Sequence, residues 1–340
     1  MNVFAYALRR LFSGALLLVV MSMVTFLLFY ASSSTPERYA CGQKCTAQQL
    51  EQTKAALGYD EPITTQWAKF AEGVVVGREF PDDEALREAA PELVTECDAP
   101  CLGYSTGYGE NVRDLITDKL PVSVSLALAA FVIWIIGGVL LGVVAALFKG
   151  RVLDRGIVAV SLIAFAFPTF FVGQIFLTYV AIRWGLVDKP AYTSIADGGV
   201  FAWASSLMLP AITLALVYMA GYIRITRAFV LETQTEDYIR TARAKGLPQR
   251  TVIGKHTLRA VLTPLVTLSG LDLAGLLGGA IITESVFNYN GVGKLSVTAI
   301  ARFDLPLIVG IVLLVAAIVI TANIIVDMLY AVIDPRVRLG

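Results

Sequence analysis

LPLIVGIVLLVAAIVITANIIVDMLYAVI, residues 305–333, is an apolar run in which Asp327 is the single charged residue. A helix needs roughly 20 such residues to cross the hydrocarbon core of a bilayer. Of all 340 residues, 56% are apolar and 16% are charged. The apolar share exceeds the roughly 45–50% of soluble domains, so the composition predicts an integral membrane protein. The 27 basic and 27 acidic residues cancel, and net charge therefore says nothing about partners.

Other apolar runs approach or exceed the same length. Together they predict an all-α membrane protein with six transmembrane helices, over residues 11–30, 122–148, 156–182, 205–223, 261–283 and 305–333. The core of a signal peptide is typically about 7–15 residues, so we interpret the longer first run as a retained anchor rather than a cleaved signal.

Basic residues fix the predicted orientation. They lie before the first run, between the second and third, between the fourth and fifth, and after the sixth: Arg9, Arg10, Lys149, Arg151, Arg155, Arg224, Arg227, Arg240, Arg243, Lys245, Arg250, Lys255, Arg259, Arg336 and Arg338. By the positive-inside bias these segments are cytoplasmic, which places both termini of a multi-pass protein in the cytoplasm.

The orientation divides the chain into three predicted parts. Residues 1–30 form the cytoplasmic start and first span, residues 31–120 a small extracytoplasmic domain, and residues 121–340 a five-helix core with a cytoplasmic loop over 224–260.

All four cysteines lie in the extracytoplasmic part, in two Cys-x-x-x-Cys motifs: Cys41 with Cys45, and Cys97 with Cys101. Disulfides persist in that oxidising compartment, and two cross-links are the favoured interpretation. Three pairings are open, and a four-thiolate zinc site is the alternative.

The cytoplasmic loop contains the sequence DYIRTARAKG at residues 237–246. Tyr238, Ala242 and Lys245 are spaced three or four residues apart, so a helix presents them on one face. Gly246 is predicted to end this helix, because glycine tolerates the left-handed conformation that closes a helix, and Pro248 prevents it from resuming.

These residues resemble the cytoplasmic loop of bacterial ABC-type importer permeases, in which an alanine is followed by a glycine four positions later. Further resemblance to the dipeptide and oligopeptide branch is carried by Leu-Pro-Val-Ser-Val-Ser-Leu at 120–126, Phe287, Gly-Val-Gly-Lys-Leu at 291–295, Asp304, Pro306, Asn323, Asp327, Tyr330 and Asp-Pro-Arg at 334–336.

The resemblance implies the type I ABC importer permease fold and transport of di- or oligopeptides across a bacterial inner membrane. It implies a coupling helix that contacts an ATPase through Asp237, Tyr238, Arg240, Ala242, Arg243, Lys245 and Gly246. The implied partners are a second homologous permease, two ATP-binding subunits that hold ATP and Mg, an extracytoplasmic substrate-binding protein and membrane lipid. No nucleic acid is implied, and this chain itself is expected to bind no cofactor.

Polar and small residues of the fifth run and at its outer end are candidates for the translocation path: Asp272, Gly275, Gly279 and, at the end, Glu284. A carboxylate at membrane depth is costly and usually faces a pore, a bundle interior or a partner. Asp272 is therefore interpreted either as a substrate contact or as a hydrogen-bond partner of a neighbouring helix.

The sequence argues against catalysis by this chain. Gly-Val-Gly-Lys at 291–294 fails the phosphate-loop pattern, because Asn288 occupies its first glycine position and Leu295 follows the lysine. His256 is the single histidine, which excludes a histidine-based metal cluster or a Ser-His-Asp site. The alternatives to a peptide permease are an ion-coupled secondary transporter with Asp272 as its coupling carboxylate, a permease for nickel chelates or other small solutes, and a receptor that acts through its cysteine domain.

Overall fold

The protein is built mainly from α-helices. The computed structural model describes residues 3–31, 36–42 and 45–333. In chain order, the helices of these residues are α1 (Val3–Ala31), α2 (Pro36–Cys41), α3 (Ala47–Ala56), α4 (Ile63–Val76), α5 (Glu84–Ala89), α6 (Val112–Leu147), α7 (Val152–Ala166), α8 (Thr169–Ile175), α9 (Ile195–Thr233), α10 (Asp237–Ala244), α11 (Gln249–Thr251), α12 (Leu258–Gly279), α13 (Ile281–Phe287), α14 (Val292–Ala301) and α15 (Leu305–Ile333).

The remaining elements are short. Two π-helical segments, Phe176–Arg183 and Val252–Thr257, continue α8 and α11, and a 3-10 turn covers Pro91–Leu93. The strands form two antiparallel pairs, β1 (Arg78–Phe80) with β2 (Thr95–Cys97) and β3 (Tyr104–Ser105) with β4 (Glu110–Asn111).

The described residues fall into two compact units. The central unit comprises Val122–Tyr289 and the described residues from Thr321 onward. The flanking unit comprises the described residues up to Pro121, together with Asn290–Ile320. Helices α6 and α15 each contribute residues to both units.

Among the described residues, four helical stretches are long and apolar enough to cross a membrane: Leu8–Phe29, Val112–Leu147, Ile195–Thr233 and Leu305–Val326. A fifth span results if α7 and the helical stretch Thr169–Arg183 are counted as one bent pair. These spans overlap the predicted first, second, third, fourth and sixth runs. The predicted fifth run falls mainly on α12, which this count does not include, so the number six stays a prediction.

The third span is broken rather than merely kinked. Its two halves are bent by 100°, and Phe167, between them, has the extended conformation with ψ 134. Pro168 follows, and a residue before proline is disfavoured in the helical region because the proline ring clashes with its backbone. Proline commonly causes kinks of more than 20° in long helices, and the change of direction here is much larger.

Helix α9 is the centre of packing in the central unit, where it contacts α7, α8, α12 and α13. The most deeply buried side chains of the surrounding core are large and apolar or aromatic: Leu126, Trp134, Leu207, Leu265, Leu276 and Tyr289. Burial of these side chains fixes the relative positions of the helices that carry the polar groups described below.

Glycines of α6 allow α9 to approach closely. A Cβ atom on Gly138 would lie 2.6 Å from Cβ of Tyr222, and one on Gly142 would lie 2.6 Å from Cβ of Thr226 and 2.8 Å from the Ile223 carbonyl oxygen. Small residues four positions apart are a recurrent device for close helix packing in membranes. These glycines lie in the second predicted run.

Replacing Gly142 by alanine is expected to lower the free energy of unfolding by about 1–3 kcal/mol, the usual cost of overpacking. The Ile223 carbonyl is backbone, so it does not rotate away from the added methyl group. Thermal unfolding of the purified protein in detergent measures the effect. Gly156→Ala is the matched control, because a Cβ on Gly156 meets nothing within 4 Å. Equal melting temperatures of the two variants would contradict the close approach.

The flanking unit packs α4 against α1. The rings of Phe26 and Phe70 lie 5.4 Å apart between centroids, and the indole nitrogen of Trp67 donates a hydrogen bond of 3.1 Å to Ser22 Oγ. Both predicted cross-links are present, Cys41 with Cys45 and Cys97 with Cys101. Each bond stays within its own Cys-x-x-x-Cys motif, which selects one of the three pairings left open by the sequence.

Asp304 immediately precedes α15 in the flanking unit. It accepts hydrogen bonds of 2.5 Å from Ser105 Oγ and 3.3 Å from the Leu307 backbone nitrogen. Burial raises the pKa of this carboxyl above its ordinary value, and the two hydrogen bonds oppose the shift. Asp304 therefore caps a membrane-spanning helix and ties β3 to it through Ser105.

Candidate coupling loop and intramembrane polar groups

The loop between α9 and α12 contains a short helix with a defined end. Helix α10 closes with a Schellman motif: the Gly246 nitrogen donates to the Arg243 carbonyl at 2.9 Å, and the Leu247 nitrogen donates to the Ala242 carbonyl at 3.3 Å. Gly246 has φ +77, in the left-handed region. The predicted helix end is confirmed, and its cause is the conformation that glycine adopts without steric cost.

One side of α10 is packed against the returning chain. Ile239 and Ala242 are buried with Val252 in a small apolar cluster. Val252 begins the π-helical segment that leads through Thr257 directly into α12. The orientation of α10 is thus coupled by packing to a helix of the membrane core. Ala242, predicted as a partner contact, has its side chain in this internal cluster.

The other side of α10 and the two residues that follow the helix are exposed. They carry the remaining predicted coupling residues: Asp237, Tyr238, Arg240, Arg243, Lys245 and Gly246. Asp237 and Arg240 lie 3.5 Å apart between charged atoms, and both side chains are largely exposed. The Tyr238 side chain is 47% exposed. Its partial burial, and secondarily the charge of Glu236, raise the pKa of its phenol. At neutral pH this face therefore presents a protonated phenol among mainly basic groups.

A buried ion pair joins α7 to α9, and the sequence did not predict it. Asp154 is 3% exposed. Its two carboxylate oxygens accept hydrogen bonds of 2.7 and 2.8 Å from the guanidinium of Arg227. The Gly150 backbone nitrogen donates a third, of 2.8 Å. The pair fixes the start of the third span to the part of α9 that leads into the loop.

Asp272, on α12, is half-buried beside α9. Its Oδ2 accepts a hydrogen bond of 2.6 Å from the phenol of Tyr222. Next to it, the rings of Trp134 and Tyr218 are stacked with centroids 4.7 Å apart. The structure therefore provides the neighbouring-helix hydrogen bond that the sequence offered as one of two interpretations of Asp272.

Glu284 occupies a separate position on α13. It is 0% exposed and accepts a hydrogen bond of 2.6 Å from Ser123 Oγ on α6. Gly275 is exposed, and a methyl group added there would meet nothing within 4 Å. Gly279 is the last residue of α12. The predicted translocation-path residues thus lie on two successive helices, and their carboxylates bond to different helices.

The aromatic residues around Asp272 were missed by the sequence analysis. Tyr218 and Tyr222 are four residues apart on a predicted helix, which is a signal that they share a face. Trp134 lies on another span, and no local pattern connects it to them.

Two family profiles match the chain. Residues 138–339 match the binding-protein-dependent transport system inner membrane component. Residues 3–127 match the N-terminal region of the membrane component of binding-protein-dependent transport systems.

Individual relatives are similar over nearly their whole length. A probable peptide ABC transporter permease of Sinorhizobium fredii is 32% identical over 333 residues, or 98% of this chain and 99% of the relative. The dipeptide transport system permease DppB of Escherichia coli K12 is 30% identical over 356 residues, or 98% of each chain.

Among solved structures, an inward-facing conformation of the MetNI methionine ABC transporter aligns with a TM-score of 0.52 and 17% identity. The alignment covers 65% of this chain and 96% of the solved chain. At this level of identity the similarity concerns the fold alone.

Proposed function

The chain belongs to the family of inner-membrane components of binding-protein-dependent transport systems, and from this premise we propose that it carries di- or oligopeptides through the membrane in an ATP-driven importer. It is a multi-pass membrane permease and not an enzyme. The named relatives support peptides as the substrate, while nickel chelates or other small solutes are the second candidate.

The observation that carries the proposal is the construction of the cytoplasmic loop. Ile239 and Ala242 pack inward against Val252, which leaves the opposite face of α10 open for a partner. We assign that face, with Tyr238, Arg240, Arg243 and Lys245, to the ATPase. Because Val252 leads directly into α12, a displacement of α10 by a moving ATPase is transmitted to the helix that carries Asp272.

The assembly follows from this role. We propose a second homologous permease, two ATPase subunits that hold ATP and Mg, and an extracytoplasmic binding protein. Both termini lie in the cytoplasm, and residues 31–120 form an extracytoplasmic domain joined to the core of residues 121–340. We assign to that domain the reception of the binding protein, and two disulfides cross-link its described part.

The translocation path runs past Asp272, Gly275, Gly279 and Glu284. Glu284 is buried with Ser123, so it supports the packing of α13 on α6. Asp272 and Gly275 have exposed surface, and we assign contact with the substrate to them. The ATPases shift the permease between inward-open and outward-open states, because ATP binding favours one arrangement of the motor over the other.

The test is purification of the tagged chain from gently solubilised native membranes, followed by mass spectrometry and reconstitution. We expect recovery of a second permease and of ATPase subunits, and ATP-dependent accumulation of Ala-Ala in proteoliposomes supplied with the binding protein. Recovery of the chain alone in preparations that still transport would contradict the proposal and favour an ion-coupled carrier. Accumulation of a nickel chelate but no dipeptide would change only the proposed substrate and leave the proposed transporter class intact.

A further inference from the structure

Asp272 is a carboxylate inside a predicted span without a cationic partner in the described part of the chain. The ion pairs of that part involve other carboxylates. Its Oδ2 accepts a hydrogen bond of 2.6 Å from the uncharged phenol of Tyr222, so its partner among the described residues brings no positive charge. An intramembrane charge is retained at substantial cost, and it usually marks the path of an ion or a substrate.

Aromatic rings lie beside this carboxylate on two further spans. Trp134 is fully buried, and it covers one face of the Tyr218 ring, with an interplanar angle of 19°. Tyr218 is only partly buried, so its exposed surface lies away from Trp134. The Trp134 and Tyr222 rings are 6.2 Å apart between centroids. The face of an aromatic ring attracts a cation electrostatically, more strongly where water is excluded.

The group is held rigidly. Tyr222 is 3% exposed, and its Cβ packs against Gly138, where no larger residue fits without a shift. Its phenol therefore fixes one carboxylate oxygen of Asp272 and leaves Oδ1 available. The Asp272 carboxylate is a hydrogen-bond acceptor, and the Tyr218 ring offers a face beside it. This is the combination of groups that recognises an ammonium group.

We propose that Asp272, Tyr218, Tyr222 and Trp134 form an ammonium subsite of the translocation path, and that its ligand is the protonated α-amino group of the peptide. This inference rests on the proposed function, since it names the substrate group that the path binds. Asp272 accepts the hydrogen bond from the amine, Tyr218 offers its ring face, and Tyr222 and Trp134 are positioning residues. An α-amino group has a pKa near 7.7–8.0 and is therefore mainly protonated at neutral pH.

The test uses the assembled transporter in lipid nanodiscs without its binding protein, so that the preference of the binding protein does not enter. Binding of Ala-Ala and of N-acetyl-Ala-Ala is followed by the intrinsic fluorescence of Trp134, identified by its loss in Trp134→Phe. We expect Ala-Ala to half-saturate at about one tenth of the concentration needed for the acetylated peptide, from one charge-assisted hydrogen bond and one cation–π contact.

Asp272→Asn is expected to make the half-saturating concentrations of Ala-Ala and N-acetyl-Ala-Ala equal, because it keeps an acceptor for Tyr222 and removes the charge. Tyr222→Phe keeps the charge, and we expect the ratio to fall only a few-fold, as typical for loss of one hydrogen bond. Asp188→Asn is the matched control, since Asp188 is an exposed carboxylate of the same unit, and it is expected to preserve the ratio.

An unchanged ratio in Asp272→Asn would overturn the subsite, as would the absence of saturable Ala-Ala binding to the wild-type transporter. Loss of the second permease from purified Asp272→Asn would also overturn it, since the carboxylate would then pair with a basic residue of that subunit. These results differ from failure of the proposed function, in which the wild-type chain neither recovers ATPases nor accumulates Ala-Ala.

Discussion

Arg227→Ala is expected to lower the free energy of unfolding by more than the loss of an exposed arginine does, because it breaks an ion pair with a carboxylate of low accessibility. The alanine leaves Asp154, which is 3% exposed, without the guanidinium that donates to both of its oxygens. Water compensates part of the loss, because the Arg227 side chain is 28% exposed.

Thermal unfolding in detergent, detected by size-exclusion chromatography, measures this change. Arg224→Ala is the matched control on the same helix: Arg224 is exposed and lies 5.0 Å from the Phe165 ring centroid, a contact that contributes about 0.5–1 kcal/mol. The double variant Asp154→Leu, Arg227→Met is expected to recover most of the stability, because no uncompensated charge remains. A loss in Arg227→Ala no larger than in Arg224→Ala would refute the role of the pair.

This ion pair shows what the sequence left undetermined. Asp154 and Arg227 are separated by 73 positions, and both lie beside other charged residues that mark the cytoplasmic side equally well. The positive-inside bias depends only on how many basic residues each loop contains. It carries no information about which arginine turns inward to meet a carboxylate.

The positions of five of the six predicted spans and the end of α10 were predictable because each has a local cause. A long apolar run crosses a bilayer whatever its neighbours are. Gly246 ends α10 because the left-handed conformation penalises other residues, and the structure has φ +77 there. Helix existence and helix ends therefore follow from properties of single segments.

The rotation of the helices about their axes was not predictable from the same information. A span that is apolar on all sides does not mark the face that packs inward, unlike an amphipathic helix of a soluble protein. The contacts of Gly138 and Gly142 with α9, and the stacking of Trp134 on Tyr218, depend on this rotation. The sequence accordingly named Asp272 as a candidate but did not find its aromatic neighbours.

Gly246→Val is expected to reduce ATP-dependent peptide uptake about tenfold, because a left-handed residue with a side chain costs roughly 1–2 kcal/mol and a β-branched one is especially unfavourable. A Cβ on Gly246 would meet nothing within 4 Å, so the effect comes from the backbone and not from a clash. The Schellman motif opens, the exposed face of α10 turns away from the ATPase, and co-purification of the ATPase falls in parallel with uptake.

Gly246→Asn distinguishes backbone strain from an intolerance of any side chain at this position, since asparagine tolerates the left-handed region. This variant is expected to keep most of the uptake. Gly185→Val is the control for strain alone: Gly185 has φ +60 and open space around it, yet lies outside the cytoplasmic loop. All three variants should insert into the membrane in equal amounts. If Gly246→Val retained its ATPase and its uptake, or if Gly185→Val lost them equally, α10 would not be the coupling helix. If only Gly246→Val lost both, the conformation of one loop residue would link ATPase docking to the packing of α10 on Val252 and α12.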